Sequence, residues 1–138
     1  MLIACCSAGF GCGRGTEPQG CDPCTTSAIV YGSVRSVAGA AISGTRLTVD
    51  MRRPSCSANP MISLGGPAMT DSRGYYRVIA LAPISPAAVC LIIAAEPPGG
   101  STFVAAADTG HVVRLQSDYP PGQTRDSVRV DIVLPQGP

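Results

Sequence analysis

Seven cysteines and a single histidine are the side chains of this 138-residue sequence whose type and spacing could support chemistry. Cys5, Cys6, Cys12, Cys21 and Cys24 crowd the first 27 residues, while Cys56 and Cys90 stand alone in the remainder. Leu2-Ile3-Ala4-Cys5 has the form of a bacterial lipobox, where small residues admit a signal peptidase to the bond before a cysteine that then carries diacylglycerol. Cys5 is therefore the lipidation candidate. The charged and apolar regions of a signal peptide are missing upstream, so this reading expects the true start to precede Met1. With Cys5 lipidated, Cys6, Cys12, Cys21, Cys24, Cys56 and Cys90 remain as disulfide candidates, an even number whose connectivity spacing cannot fix. Cys56 and Cys90 would tie a loop to a strand and point to an oxidising compartment; the alternative is that Cys90 serves as a small buried apolar residue. Cys21-Asp22-Pro23-Cys24 also has the spacing of half a zinc site, which Cys6 or Cys12 would complete irregularly, so a metal-binding tail is an alternative. The leading reading assigns no metal ligands and no cofactor.

His111 would need a nucleophile and an orienting carboxylate to act as a catalytic base, and the sequence names neither. It opens a predicted strand beside a turn, where a solvated role is the simpler one. Asp71 and Asp108 lie in Asp-Ser-Arg-Gly and Asp-Thr-Gly segments, where Asp bonds back to its own backbone and makes turns; a calcium loop would need further carboxylates. Gly65-Gly66 and Gly99-Gly100 lack the Lys and Ser or Thr of a phosphate loop. No catalytic residue emerges, and the expectation is that the chain is not an enzyme. Ten Lys and Arg against nine Asp and Glu, without a basic run, carry no electrostatic footprint for nucleic acid. No run of about 18 apolar residues is present to cross a bilayer as a helix, leaving a lipid anchor as the membrane contact.

The elements that would position these groups are strands. Gly and Pro number 16 and 13, spread without a period of three, which suits short strands between turns. A tail or linker over 1–27 gives way to a folded domain over 28–135. Val30 and Val34 flank Gly32 on one face of a first strand, and Leu47, Val49 and Met51 alternate with polar residues in a second. Residues 53–67 read as a long loop with room for a short edge strand. Thr70-Asp71-Ser72-Arg73-Gly74 is a hairpin signal leading into Tyr75-Tyr76-Arg77-Val78-Ile79. The apolar run from Val89 to Ala95 reads as a central strand buried on both faces. Residues 102–106 and 112–115 flank Asp108-Thr109-Gly110 as a hairpin, and Val128, Val130, Ile132 and Leu134 alternate in a closing strand. About seven strands result, the count of a sandwich.

Val30-Tyr31-Gly32-Ser33-Val34, Gly39 to Val49, Thr70 to Val78 and Val89 to Ala95, taken in that order, resemble the carboxypeptidase regulatory-like domain family over about residues 28–134. The resemblance implies an all-β, seven-stranded Greek-key sandwich of transthyretin type, used as an accessory module on secreted and surface proteins, with no catalytic residues. It gives structural roles to Gly32, where a neighbouring chain approaches, and to Asp71 and Gly74, which make the hairpin before a core aromatic. Ala41, where the family more often has Pro, and Pro83 to Pro86 depart from the pattern. Folds of this type include a purine-pathway hydrolase and iron dioxygenases, whose several-His or His/Tyr sets a single His does not supply.

The function expected from sequence is thus a non-catalytic extracytoplasmic lipoprotein module, in the periplasm or at the cell surface. It would bind an unidentified protein or carbohydrate partner, with no oligomer predicted. Tyr31, Tyr75 and Tyr119 are the ligand-contact candidates. A structural spacer is the alternative from a different class.

Overall fold

A computed structural model of the chain describes residues 25–117 and 125–138. Every regular element among them is a strand: β1 (Thr26–Ser36), β2 (Arg46–Arg52), β3 (Ala68–Met69), β4 (Tyr75–Ala82), β5 (Ala87–Glu96), β6 (Ala106–Ser117), β7 (Ser127–Arg129) and β8 (Ile132–Leu134). The long strands are those whose β-branched or apolar residues recur at alternate positions, so that one set faces inward together. Val30 and Val34, Leu47 and Met51, Val78 and Ala80, Leu91 and Ile93, Val113 and Leu115, and Ile132 and Leu134 meet in one core.

The strands follow the order β3-β2-β5-β6-β1-β4, with antiparallel neighbours throughout. β7 and β8 run parallel to β1, pairing Ile29 to Tyr31 and Val34 to Ser36 in turn. Connections draw the two ends of this order together. Leu64 N–H donates to Leu81 O at 2.8 Å, and Thr70, just after β3, is bonded to Thr45 and Ile42 through its backbone and its hydroxyl. The result is an all-β, nearly closed sandwich.

Four details differ from the pattern read in the sequence. There are eight strands rather than seven: the closing strand breaks at Val130-Asp131 into β7 and β8 and the short β3 is added, while the two strands expected on either side of Asp108-Thr109-Gly110 are one, β6. Asp108-Thr109-Gly110 is not a hairpin turn: β6 runs straight through it. Gly110, at φ +95°, is the extra residue of a bulge, since Leu91 pairs with His111 and Ile92 with Thr109; glycine adopts such a φ without a Cβ penalty, so the strand continues where a turn was expected. β5 is central but buries one face fully: Val89, Leu91, Ile93 and Ala95 fill the core, while Ile92 and Ala94 are half-buried on the outside. The edge strand expected somewhere in 53–67 lies just beyond it, at Ala68–Met69.

Cys56 and Cys90 are joined in a disulfide with a Cα–Cα separation of 5.2 Å. It fastens the loop after β2 to the outer side of β5. Arg52 reinforces the attachment, donating from Nη1 to Ala58 O at 3.1 Å and from Nε to Asp50 Oδ2 at 3.0 Å. No helix of the described residues is long and apolar enough to cross a membrane.

Candidate functional site

The break between β7 and β8 organises the most distinctive surface of the domain. After pairing alongside Ile29 to Tyr31, the chain turns at Val130, whose carbonyl settles over Gly32; a Cβ at Gly32 would occupy the position of the Val130 oxygen. Four bonds hold this kink. Val130 N–H donates to Tyr31 O at 2.8 Å. Tyr76, the register partner of Gly32 on the opposite side of β1, reaches across the glycine and donates its hydroxyl to Val130 O at 2.7 Å. Asp131 supplies the acceptor that the interrupted ladder lacks: its Oδ1 receives the Ser33 N–H at 2.8 Å and the Ser33 hydroxyl at 3.0 Å.

Asp131 is anchored further by Arg129, whose Nε donates to Oδ2 at 2.9 Å. Partial burial pushes the Asp131 carboxyl up, but the hydrogen bonds from Ser33 and Arg129 and the Arg129 charge outweigh it, leaving the group below the ordinary carboxylate range. A carboxyl depressed on folding contributes stability that is complete above its unfolded value near pH 4 and is lost as pH falls through the lower folded value. Asp131→Asn is therefore expected to lower stability by about 1 kcal/mol at neutral pH, the exposed setting limiting the effect. The gap between variant and parent should narrow in melts as pH falls below about 4; a gap that stays constant as pH falls would refute the assignment. Burial also pushes the Tyr76 phenol far above its ordinary value, with the charges of Asp131 and Asp108 adding to the effect, so it stays a hydrogen-bond donor.

Around the kink, the outward faces of β4, β1 and β7 form a small array. Tyr31 lies directly across from Arg77 on β4 and from Arg129 on β7, and Tyr75 lies across from Ser33, diagonal to Tyr31. Tyr31 and Tyr75 are 41% and 46% exposed, high for aromatic residues in the middle or at the start of long strands. With Gly32, Tyr76 and Arg129 they border a shallow depression of about 280 Å³. Diagonal neighbours of this kind are about 7–8 Å apart, close enough for two rings to contact one ligand. Arg77 is exposed, and its guanidinium has no partner among the described residues.

The structure brings Tyr31, Tyr75 and Gly32 together and places Asp71 and Gly74 at the hairpin that leads into Tyr75. Asp71 Oδ1 accepts the N–H groups of Arg73 and Tyr75, each at 2.9 Å, and Gly74 takes φ +76°. Tyr119 lies outside the described residues, as do Cys5, Cys6, Cys12, Cys21 and Cys24. His111 is not beside a turn. It sits within β6 opposite Leu91, on the core-facing side, with Asp108 Oδ2 3.2 Å from its Nε2 but outside hydrogen-bond geometry. No cluster of three His, Cys, Asp or Glu is present among the described residues to extend this pair into a metal site. Arg77, Arg129 and Asp131 are the members of the array that sequence reasoning passed over. The alternation Tyr75-Tyr76-Arg77 was a signal for the first.

By fold and surface this is an all-β sandwich with an exposed tyrosine–arginine face. No protein-family model and no curated protein matches the chain. Solved structures similar to it include the chlorocatechol 1,2-dioxygenase from Pseudomonas putida, at 17% identity and TM-score 0.46 over 85% of this chain, and the 3-chlorocatechol 1,2-dioxygenase from Rhodococcus opacus 1CP, at 13% identity and TM-score 0.42 over 80%. The chain spans 63% and 59% of the lengths of those proteins. Both of these similar structures are enzymes, which runs against the expectation that the chain is not one. A likeness this distant transfers neither their reaction nor their residues.

Proposed function

We propose that this chain carries an extracytoplasmic binding domain that recognises carbohydrate on the outer face of β4, β1 and β7, with Tyr31 and Tyr75 as the contact platform. One observation carries the proposal: two tyrosines are held outward and diagonal on adjacent strands, beside a depression open to solvent. Buried small-molecule sites enclose about 300–1,000 Å³ and cover most of their ligand, whereas an open platform suits a chain that is gripped along one side. Aromatic rings present a rigid apolar face at low entropic cost, and the neighbouring guanidinium and carboxylate groups supply hydrogen bonds for hydroxyls. The site sits on strands of the scaffold, which hold its geometry more tightly than loops would.

Kinship with the carboxypeptidase regulatory-like domains is part of the proposal. Its support is the placement of Gly32 at the kink and of Asp71 and Gly74 at the hairpin; counted as one interrupted strand, β7 and β8 suit its seven-stranded Greek-key description. Extracytoplasmic placement draws its support from the Cys56–Cys90 disulfide, a bond that persists in oxidising compartments.

Native affinity electrophoresis in gels containing neutral or acidic polysaccharides tests the assignment. Tyr31→Ala and Tyr75→Ala are each expected to weaken retardation by about ten-fold or more. As exposed substitutions, they should move stability by no more than about 0.5 kcal/mol. Retardation unchanged in both variants, or none by any polysaccharide, would overturn the proposal.

A further inference from the structure

We infer that the saccharide taken by this face is anionic, a polymer bearing carboxylates such as a polyuronate, with Arg77 as the residue that selects for charge. The inference rests on the platform proposed above and names the ligand class for it. On the outward face Tyr31 stands between two arginines, Arg77 on β4 and Arg129 on β7, so any sugar stacked on its ring lies between two guanidinium groups. The two are not equivalent. Arg129 spends its Nε on Asp131, and that ion pair cancels much of its field. Arg77 has no counter-charge among the described residues, although the remaining exposed or half-exposed arginines of β2 and β7 do: Arg46 pairs with Glu96, Arg52 with Asp50 and Arg129 with Asp131.

Arg35 adds to the same outward face two residues beyond Ser33, its Nη1 bonded to Gly39 O. Three arginines against one aspartate give this face a net charge of about +2 in a chain whose whole charge is +1. A free guanidinium presents a planar fork that matches a carboxylate in bidentate fashion, and it is the group a ligand carboxylate would use.

The test compares fragments of polygalacturonate, alginate and hyaluronan with their methyl esters, which keep the sugar backbone and remove the charge. Isothermal titration would be run on the full chain, on Arg77→Gln and on Tyr31→Ala. At least one acid should bind about 10-fold to 100-fold more tightly than its ester, the range of one charge-assisted hydrogen-bonded contact. That preference should shrink as salt rises and the screening length contracts from about 10 Å at 0.1 M to 3 Å at 1 M. Arg77→Gln should erase the preference while leaving ester binding intact, and Tyr31→Ala should weaken acid and ester alike. Acid and ester bound equally by the unaltered chain, with both lost in Tyr31→Ala, would overturn the anionic selection and leave the platform standing. No binding of any fragment would overturn both.

Discussion

Gly32→Ala is expected to destabilise the domain by about 3 kcal/mol or more, although it adds a single methyl group to a strand that ordinarily favours side chains. The cost is steric. A Cβ there falls on the Val130 carbonyl oxygen, and Asp131 Oδ1 is close behind at 3.3 Å. Ordinary small-to-large changes are relieved by a shift of the neighbour, at about 1–3 kcal/mol. Here the neighbour is backbone tethered on both sides of β1, by Val130 N–H to Tyr31 O and by the Tyr76 hydroxyl to Val130 O. To move, the carbonyl must leave the buried tyrosine hydroxyl without an acceptor, which adds a desolvation cost of about 1–3 kcal/mol. Gly66→Ala is the control: nothing lies within 4 Å of the point its methyl carbon would take, and its φ is not in the left-handed region. It should be neutral or stabilise by up to about 1 kcal/mol through the unfolded chain. Urea unfolding of both variants decides the matter, and a Gly32→Ala loss no larger than that of Gly66→Ala would refute the close approach. Because the same kink sets Arg129 and Asp131 beside Tyr31, whatever Gly32→Ala protein folds should also bind less well.

The parts of this fold that could be read from sequence are those where alternation runs for several residues. Leu47 and Met51 and the even positions of β4 from Tyr76 to Ala82 announce an inward face, and the structure buries them; β5 is apolar from Val89 to Ala95, so its run announced a strand but not which face turns inward. β3, β7 and β8 span two or three residues, too few to express a period. Asp131 hid the break in the last strand by falling in phase with the polar positions, so that Val128, Val130, Ile132 and Leu134 looked continuous. Asp-Thr-Gly looked like a turn because a glycine able to take positive φ serves a bulge as well as it serves a hairpin; only the pairing of β6 with β5 distinguishes them. The candidate site was half legible for the same reason. Tyr31 and Tyr75 stand at positions in phase with polar neighbours, which marks them as outward. That Arg77 and Arg129 flank Tyr31 depends on register between strands distant in sequence, and on a parallel pairing of β1 with β7 that no local pattern encodes.

Removing the disulfide with Cys56→Ala and Cys90→Ala together should cost about 3 to 4 kcal/mol, the loop-closure entropy of a bridge spanning 34 residues. For a domain of this size that corresponds to a fall in Tm on the order of 15 °C. The folded state itself should lose little. Cys90 is buried on the outer side of β5, where alanine fills most of its volume, and Arg52 still bonds to Ala58 O to hold the loop. The effect acts on the unfolded chain, which regains the freedom that the bridge denied it. Two measurements separate this from ordinary core damage. Thermal melts of the unaltered chain in excess reductant should fall to the level of the double variant, and reductant should leave the double variant nearly unmoved. If reductant leaves the unaltered chain unmoved as well, the bond does not stabilise the fold in solution, and the proposal that this domain works outside the reducing cytoplasm loses its structural support. If the melts converge as expected, a domain whose stability depends on oxidation by that margin belongs where thiols are oxidised.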